Sequence, residues 1–247
     1  MKRKIIITLI FFISLVFVNC SKKSQGDLAN EQFKLSENAS VNMEIKKLND
    51  ALKSAGTDVE KAEIHTKIAV VLDEKGDVNS LIKSATEAIK FQPNQYMSHY
   101  LLGKSYVAAG RYNDAIDELN ISISFKNDFA PAWFEFGNAQ YKKLSYSLAK
   151  DAYKKAVNYD KTMIDAYNNL GVLSTITGDL SSAEKYLKTC ISMNPDYATA
   201  YKNLGILYDT KMKKAPAAVE NYKKYLTLRP DCPERGLVKL WISAIGG

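Results

Sequence analysis

The side chains best suited to acid–base or nucleophilic chemistry in this chain are its histidines and cysteines. His65 and His99 are the two histidines among 247 residues, and an imidazole near neutral pH takes up or releases a proton. A histidine beside Cys190 or Cys232 would make a nucleophile–base pair. Three cysteines in total are too few for a disulfide scaffold, and the sequence has no Gly-rich phosphate loop, no Cys-x-x-Cys and no His-Glu-x-x-His. We therefore expect no metal and no cofactor.

A spacing of 34 residues determines where these side chains fall. Glycines recur at this interval, each directly after a bulky apolar residue; they are Gly103, Gly137, Gly171 and Gly205. Four residues before each glycine stands a ring; these residues are His99, Trp133, Tyr167 and Tyr201. A small residue follows 12 positions after each glycine: Ala115, Ala149, Ala183 and, in the last copy, Ala217 or Ala218. Apolar residues at helical spacing between these positions predict paired helices that pack closely at the small residues.

This pattern resembles the tetratricopeptide repeat (TPR), a helix–turn–helix unit of 34 residues. The copies in this sequence are 62–95, 96–129, 130–163, 164–197 and 198–232, and the last has one extra residue near Met212 to Pro216. The resemblance implies an all-α protein, a right-handed α-solenoid of about five TPR units over residues 58–232.

Apolar stripes on both sides of the repeats predict capping helices at 40–57 and 233–247. The front stripe consists of Val41, Ile45, Leu48, Leu52 and Ala55. The back stripe consists of Leu237, Leu240, Trp241 and Ala244. Terminal units also depart from the pattern, with Ala69 in place of glycine and Leu81 in place of the small residue in unit one, as expected where one neighbour is missing.

The repeat changes the interpretation of the candidate catalytic residues. His65 and His99 fall on the aromatic position, so we expect them to fill a slot between paired helices. Cys190 falls inside a second helix and is expected to be a buried, inert thiol; its pairing with Cys232 in an oxidising compartment remains an alternative. Neither cysteine has a histidine at a neighbouring repeat position. Acids near helix starts, such as Glu118, complement the helix dipole. We therefore expect no enzyme.

In proteins similar to this one, the first helices of the units line a concave groove that binds a protein or peptide partner. Carried over by repeat position, the peptide-binding residues are Tyr100, Lys104, Phe134, Asn138, Tyr141, Asn168, Asn169, Lys202 and Asn203. Amides at these positions can bond the backbone of an extended peptide, and rings can cover its side chains. Family members that hold a C-terminal carboxylate use Lys and Asn on several units, and Lys104, Asn138 and Lys202 match them only loosely. We expect no carboxylate clamp.

The N-terminus has the layout of a secretory signal. Lys2, Arg3 and Lys4 precede an apolar run of 14 residues from Ile5 to Val18, which is shorter than the roughly 20 residues of a membrane-spanning helix. Cys20 directly after this segment resembles the lipobox of bacterial lipoproteins, although Asn19 departs from the usual small residue. The resemblance implies a signal peptide at 1–19, lipidation of Cys20 and a polar tether over 20–39. Ordinary secretion and an uncleaved anchor are the alternatives.

Composition and charge exclude other classes. With 46% hydrophobic and 25% charged residues the chain is not wholly disordered, and only 12 glycines and 6 prolines argue against a turn-rich β-sandwich. The net charge of +7 includes Lys2, Arg3 and Lys4, without which 31 basic and 27 acidic residues remain. That mild excess gives no reason to expect a nucleic-acid partner.

The sequence therefore predicts a lipid-anchored TPR adaptor that holds a protein or peptide partner of unknown identity at the bacterial cell envelope, on the outer membrane in preference to the inner. One alternative is a structural subunit of an envelope assembly, of the outer-membrane-protein insertion or pilus and secretin assembly type. Another is an enzyme or enzyme-regulating subunit that acts on cell-wall material.

Overall fold

The computed structural model describes the backbone of residues 25–246 and the side chains of residues 39–245. The described part of the chain contains twelve α-helices, one π-helical turn and no strand. It divides after Ala51 into two compact units. The predicted signal peptide at 1–19 and Cys20 lie outside the described residues, so they remain predictions.

The first helix, α1, runs from Gln25 to Ser54. It therefore begins inside the stretch that we predicted to be a polar tether and extends through the predicted front cap. Between Asp27 and Ser54 the sequence has no glycine and no proline, the two residues that most disfavour a helix. Along its C-terminal half the predicted stripe of Val41, Ile45, Leu48 and Leu52 is half-buried.

Ten further helices follow in sequential pairs. The first helix of each pair is α2 (Asp58–Lys75), α4 (Tyr96–Ala108), α6 (Ala130–Lys142), α8 (Ile164–Thr177) or α10 (Ala198–Ile206). The second helices are α3 (Val78–Phe91), α5 (Tyr112–Phe125), α7 (Tyr146–Tyr159), α9 (Leu180–Met193) and α11 (Ala215–Leu228). Each helix packs against the next, and the first helices of neighbouring pairs also approach one another, as α2 and α4 do. The all-α solenoid predicted from the repeat is confirmed.

Contact between the two helices of a pair depends on the repeated glycines. A Cβ atom added to Gly103 or Gly137 would lie 2.5 Å from the Leu119 side chain or 2.6 Å from the Tyr153 ring. The same holds for Gly171 against Leu187 and for Gly205 against Tyr222, both at 2.6 Å. A bulky residue 16 or 17 positions after each glycine therefore occupies the space that a side chain would need.

Unit one solves the same packing problem differently. It has Ala69 at the glycine position and Ala85 where the other units have Leu or Tyr, while Leu81 stands where the others have alanine. All three residues are at most 1% exposed. In this unit the bulky residue of the second helix is Leu81, one helical turn before its position in the other units. This shift explains why Leu81 replaces the small residue and why Ala69 can replace the glycine.

The turn between the paired helices requires a left-handed residue in every unit. Gly76, Gly110 and Gly178 occupy it with φ of 75°, 75° and 83°. Units three and five place Leu144 and Lys213 there, with φ of 62° and 55°. A side chain in this region costs about 1–2 kcal/mol.

The extra residue of unit five is absorbed earlier than we predicted. It lies in a π-helical turn at Leu207–Lys211, not between Met212 and Pro216. A π-helical turn takes one more residue than an α-helical turn, so it lengthens the first helix while the second helix keeps its register. The structure also settles the last small residue, because Ala218 is fully buried opposite the first helix.

The last helix, α12 (Arg235–Gly246), packs on α11 but not through the stripe we predicted. Val238 is fully buried and Trp241 lies against Tyr222, with ring centroids 5.4 Å apart. Leu237 and Leu240 are 50% and 65% exposed, so the predicted stripe is wrong except for Trp241. Arg235, Lys239 and Ser243 recur every fourth residue on one narrow face. The apolar residues cover the remaining wide arc, and their spacing did not show which part of that arc is buried.

Within residues 25–246, none of the helices combines the length and the apolar character needed to cross a bilayer.

Candidate functional site

The aromatic position of the repeat holds a hydrogen-bond donor at the tip of its ring. Trp133 Nε1 donates to the carbonyl oxygen of Asn127 at 2.7 Å, and Tyr201 Oη donates to that of Pro195 at 3.1 Å. His99 Nε2 lies 2.9 Å from the carbonyl oxygen of Pro93. In all three units the acceptor stands six residues earlier, in the loop before the helix. In these three units the ring thus bonds the first helix to the loop that precedes it.

His99 makes a second contact that the sequence analysis missed. Its Nδ1 lies 2.7 Å from Oε2 of Glu118, and the imidazole is 5% exposed. Since the Pro93 carbonyl can only accept, the imidazolium form satisfies both acceptors. Burial lowers the pKa of His99, but the hydrogen bonds to Glu118 and to the Pro93 carbonyl outweigh it and raise the pKa above its usual range. Glu118 therefore holds a packed histidine.

His65 occupies the same position in unit one without those partners. It stacks on Phe91, with centroids 5.8 Å apart and planes within 11°, and its Nδ1 is buried with no hydrogen-bond partner among the described residues. Burial lowers its pKa, against a smaller effect of Glu87. Both histidines thus lie in the aromatic slot, as predicted.

The two described cysteines are buried and unbonded to each other. Cys190 Sγ lies 3.5 Å from the carbonyl oxygen of Ile164, and Ser122 at the same repeat position donates to the corresponding carbonyl of Tyr96 at 2.8 Å. Burial raises the pKa of the Cys190 thiol to about 12. The expected inert thiol fits this environment.

The predicted peptide-binding residues all lie on the first helices, and none is fully exposed. Tyr100 packs edge-on against Phe129, with centroids 5.1 Å apart. Phe134 packs against Tyr153 and Tyr141 against Tyr146 in tilted arrangements, with centroids 5.9 and 5.8 Å apart. Of the three predicted rings, Tyr141 lines the pocket described below. Asn168 differs from the expectation, because it is only 6% exposed and its amide is hydrogen-bonded to the side chains of Asn169 and Asn203.

Lys104 is paired with an acid of the neighbouring helix α2, and Lys202 is paired with an acid of the turn before α12. Lys104 Nζ lies 2.6 Å from Oδ2 of Asp73, and Lys202 Nζ lies 2.8 Å from Oε1 of Glu234. Glu234 also accepts a hydrogen bond from Tyr225 Oη at 2.6 Å. Lys202 and Tyr225 together hold the pKa of Glu234 down at about 2. Each of the two ammonium groups is thus already paired with a carboxylate of this chain.

Four asparagines of units three to five and one glutamate join in one chain of hydrogen bonds, the amide ladder: Asn203, Asn168, Asn169, Asn138 and Glu135. Asn203 donates to Asn168 at 2.8 Å, Asn168 to Asn169 at 3.4 Å, and Asn169 to Asn138 at 3.2 Å. Asn138 donates to Oε2 of Glu135 at 3.0 Å. The ladder crosses three units along the inner surface of the first helices.

A pocket of about 320 Å³ opens at the middle of this ladder. It lies among α4, α6, α7 and α8, and its lining consists of Val107, Asn138, Tyr141, Lys142, Tyr153, Asn169 and Val172. Three of these were predicted from repeat position. Val107 and Val172 occupy the repeat positions of Tyr141 and Asn138, so the same positions in other units would have pointed to them. Tyr153 comes from a second helix and reaches the groove under Gly137.

Among the described residues no cluster of three or more His, Cys, Asp or Glu side chains is arranged to hold a metal ion.

Comparisons with known proteins agree with this architecture. The sequence profile of the family described as tetratricopeptide repeat matches residues 164–197, the predicted fourth unit. The crystal structure of PilW, described as a widely conserved type IV pilus biogenesis factor, superposes with a TM-score of 0.67 at 21% identity, over 74% of this chain and 85% of PilW. The fold is a tetratricopeptide-repeat solenoid. Other TPR structures are similar: MamA has a TM-score of 0.60 at 28% identity, over 69% of this chain and 93% of MamA.

YrrB, described as a TPR protein with an unusual peptide-binding site, has a TM-score of 0.64 at 19% identity, over 80% of this chain and 97% of YrrB. Hsp70-Hsp90 organizing protein 1 of Glycine max is 24% identical over 214 residues, 81% of this chain and 36% of that protein. BBSome complex member bbs-4 of Caenorhabditis elegans is 23% identical over 138 residues, 56% of this chain and 30% of its own length. The chain spans about a third of the length of these curated TPR relatives.

Proposed function

We propose that this chain is a non-catalytic TPR adaptor that binds a protein or peptide partner in the groove lined by its first helices. The observation that supports it most is the pocket at Asn138, Tyr141 and Asn169, where apolar walls and amide groups converge on one inner surface. The similar fold of YrrB, which is described as having a peptide-binding site, agrees with this use of the surface. A groove that is already formed loses little conformational freedom on binding.

We further propose that Cys20 is lipidated after removal of residues 1–19 and anchors the adaptor at the bacterial cell envelope. The basic N-terminus, the 14-residue apolar run and the following cysteine support this. Each methylene of an acyl chain contributes about 0.8 kcal/mol, so two or more chains hold a protein stably at a membrane. The anchor would keep a partner close to the membrane and raise its effective concentration.

A second candidate is a structural subunit of an envelope assembly that contacts its neighbours through surfaces outside the groove. Two observations favour it: the similarity of fold to PilW, a type IV pilus biogenesis factor, and the exposed Leu237 and Leu240 on the last helix. The two candidates predict different contact surfaces.

Site-specific crosslinking in cells distinguishes them. A photoreactive residue in place of Tyr141 reports contacts in the groove, one in place of Leu240 reports contacts at α12, and one in place of the exposed Lys154 is the matched control on a second helix. The adaptor function predicts a partner at position 141 that is lost on Phe134→Ala with Asn169→Ala. A partner found only at position 240 that survives this double substitution would establish the second candidate instead.

The anchor is tested by Cys20→Ser. We expect this variant to lose incorporation of a labelled fatty acid and to leave the membrane fraction or keep its signal sequence. Unchanged processing and unchanged membrane retention would exclude lipidation at this residue. Cys190→Ser is the control, since its thiol is buried in the fold.

A further inference from the structure

The turn between the paired helices of unit three departs from the other units at two exposed positions. At the left-handed position it has Leu144, where three units have glycine and unit five has a lysine. Four residues later it has Leu148, where the other units have small or polar residues: Ser80, Asp114, Ser182 and Ala217. Leu144 and Leu148 are 69% and 53% exposed. Two bulky apolar side chains therefore stand in water at positions that the other units leave small or polar.

This turn also lacks local interactions that stabilise its counterparts in units one and four. There the capping residues Asp77 and Asp179 each accept a hydrogen bond from the backbone N–H three residues later. Ser145 begins the second helix of unit three without such a bond. The left-handed leucine adds backbone strain that glycine would avoid. A strained and uncapped turn with exposed leucines indicates a contact with a surface outside the chain.

The residues beside the two leucines are basic. From residue 136 to residue 150 the sequence has three lysines and no acid. Lys142 and Lys143 directly precede Leu144, and both are exposed. Lys143 donates a hydrogen bond to the neutral side chain of Asn113, a contact that leaves its positive charge unbalanced. Cations thus lie immediately beside the exposed apolar side chains.

The acids of the neighbouring turns do not cancel this charge. Asp114 of unit two lies 2.7 Å from Arg111, and Asp179 of unit four lies 3.3 Å from Lys150. Each of these carboxylates is therefore balanced by its own partner. Asp151 on α7 is the next acid of unit three along the chain, and it stands against two lysines. The turn keeps a net positive charge.

We propose that this turn, residues 142–148, contacts an anionic lipid bilayer. Leu144 and Leu148 enter the interface between headgroups and acyl chains, and the two lysines lie at lipid phosphates. Apolar side chains next to lysines are typical of segments that bind at this depth, and each lysine adds an attraction to anionic lipid that salt screens. A protein partner would need a pocket shaped to the protruding turn, whereas a fluid bilayer needs none. This inference rests on the proposed location at the cell envelope.

A fluorophore at residue 147 tests the contact. The full chain, with its three cysteines changed to serine and Ser147→Cys labelled with an environment-sensitive dye, is reconstituted in vesicles that hold every variant through its apolar N-terminal run. Ser181, exposed at the same repeat position of unit four, is the matched control site. We expect emission at residue 147 to be at least twofold higher in phosphatidylcholine vesicles with one third phosphatidylglycerol than in pure phosphatidylcholine. Lipids brominated along the acyl chains should quench it, and emission at residue 181 should respond to neither.

Variants separate the contact from folding. Leu144→Gly relieves the strained backbone and should melt at a higher temperature than the parent, yet together with Leu148→Ser it should abolish the twofold rise. Lys142→Gln with Lys143→Gln should remove the difference between the two kinds of vesicle. Leu240→Ser changes a leucine of α12 that is 65% exposed, and it should leave the signal at the turn unchanged.

Three results would overturn the inference: equal emission in both kinds of vesicle, an equal rise at residues 147 and 181, or a rise that survives Leu144→Gly with Leu148→Ser. If vesicles have no effect and a photoreactive residue in place of Ser147 captures an acidic protein in cells, the turn binds protein and the lipid contact is wrong. Either failure leaves lipidation of Cys20 standing. Unchanged membrane retention of Cys20→Ser would instead remove the proposed anchor without altering the response of the dye.

Discussion

At the scale of single residues, the aromatic position supplies a hydrogen-bond donor as well as a ring in three of the five units. Trp133, His99 and Tyr201 have different shapes, yet each places a nitrogen or oxygen on a loop carbonyl six residues earlier. The three acceptors belong to exposed loop residues, so each bond contributes about 0.5–1.5 kcal/mol to stability. Phenylalanine, which fills the volume but cannot donate, should therefore be poorly tolerated here.

His99 gives this bond a pH dependence. His99→Tyr keeps a donor for the Pro93 carbonyl, as Tyr201 does for Pro195, whereas His99→Phe should lower the free energy of unfolding by about 1–3 kcal/mol. Because the folded pKa of His99 is raised, the stability it adds is complete below about pH 6.5 and is lost as pH rises through the folded pKa. Wild type should thus lose stability relative to His99→Tyr over this window.

Urea titrations from pH 5.5 to 8.5 measure that difference. Comparing wild type with His99→Tyr leaves the titration of His65 and the carboxylates common to both proteins. Glu118→Gln should abolish most of the pH dependence, since Glu118 is the charged group that faces the imidazole. A constant stability difference across the range would mean that His99 does not titrate in the folded state as its contacts require.

The repeated glycines make a second prediction at this scale. Gly137→Ala would place a Cβ 2.6 Å from the Tyr153 ring, and overpacking of this kind costs about 1–3 kcal/mol. Gly236→Ala in α12 meets no atom within 4 Å and should stabilise the helix by about 0.5–1 kcal/mol. Thermal melts of the two variants should move in opposite directions; a harmless Gly137→Ala would show that the helices can separate there.

At the scale of elements, the turn between paired helices requires a residue with left-handed backbone, which is glycine in three units and Leu144 or Lys213 in the other two. Leu144, 69% exposed and left-handed, should be replaceable by glycine with a gain of about 1 kcal/mol, because the strain is relieved. Leu148 is the control: it is similarly exposed at 53% but helical, so Leu148→Gly should cost about 1 kcal/mol. Opposite shifts in the urea midpoint are expected, and equal losses would contradict the strain.

The elements also show how far a sequence can be interpreted. The 34-residue period located all five helix pairs, because small and bulky residues must alternate in step for neighbours to pack. Thr57 and Glu60, three residues apart, form a capping box at the start of α2. The ladder, the contact between His99 and Glu118 and the buried side of α12 could not be predicted, since each depends on which way side chains turn between units after the backbone is in place.

At the scale of the whole molecule, a repeat array is stabilised by contacts between neighbours. Deletion of residues 235–247 removes Val238 and Trp241 from the surface of α11 and should expose Tyr222. We expect hydrogen exchange to accelerate at least tenfold in α10 and α11 and to stay unchanged in α4–α7. Leu237→Ser with Leu240→Ser, which alters only the exposed side of α12, is the control. Faster exchange along the entire array would show that it unfolds as one cooperative unit.

The exchange of bulk between Leu81 and Ala85 in the first pair has a consequence for how such a chain can grow. The second, third and fourth pairs have the glycine and the bulky residue that faces it at the same repeat positions. Unequal recombination between these pairs therefore yields a longer or shorter array whose helices still pack against one another. In a copy of the first pair the bulky residue lies one helical turn earlier on the second helix. Such a copy therefore packs correctly only if both of its helices are duplicated together. Lengthening by duplication should therefore occur in the middle of the array, with the opening pair retained as a single indivisible block.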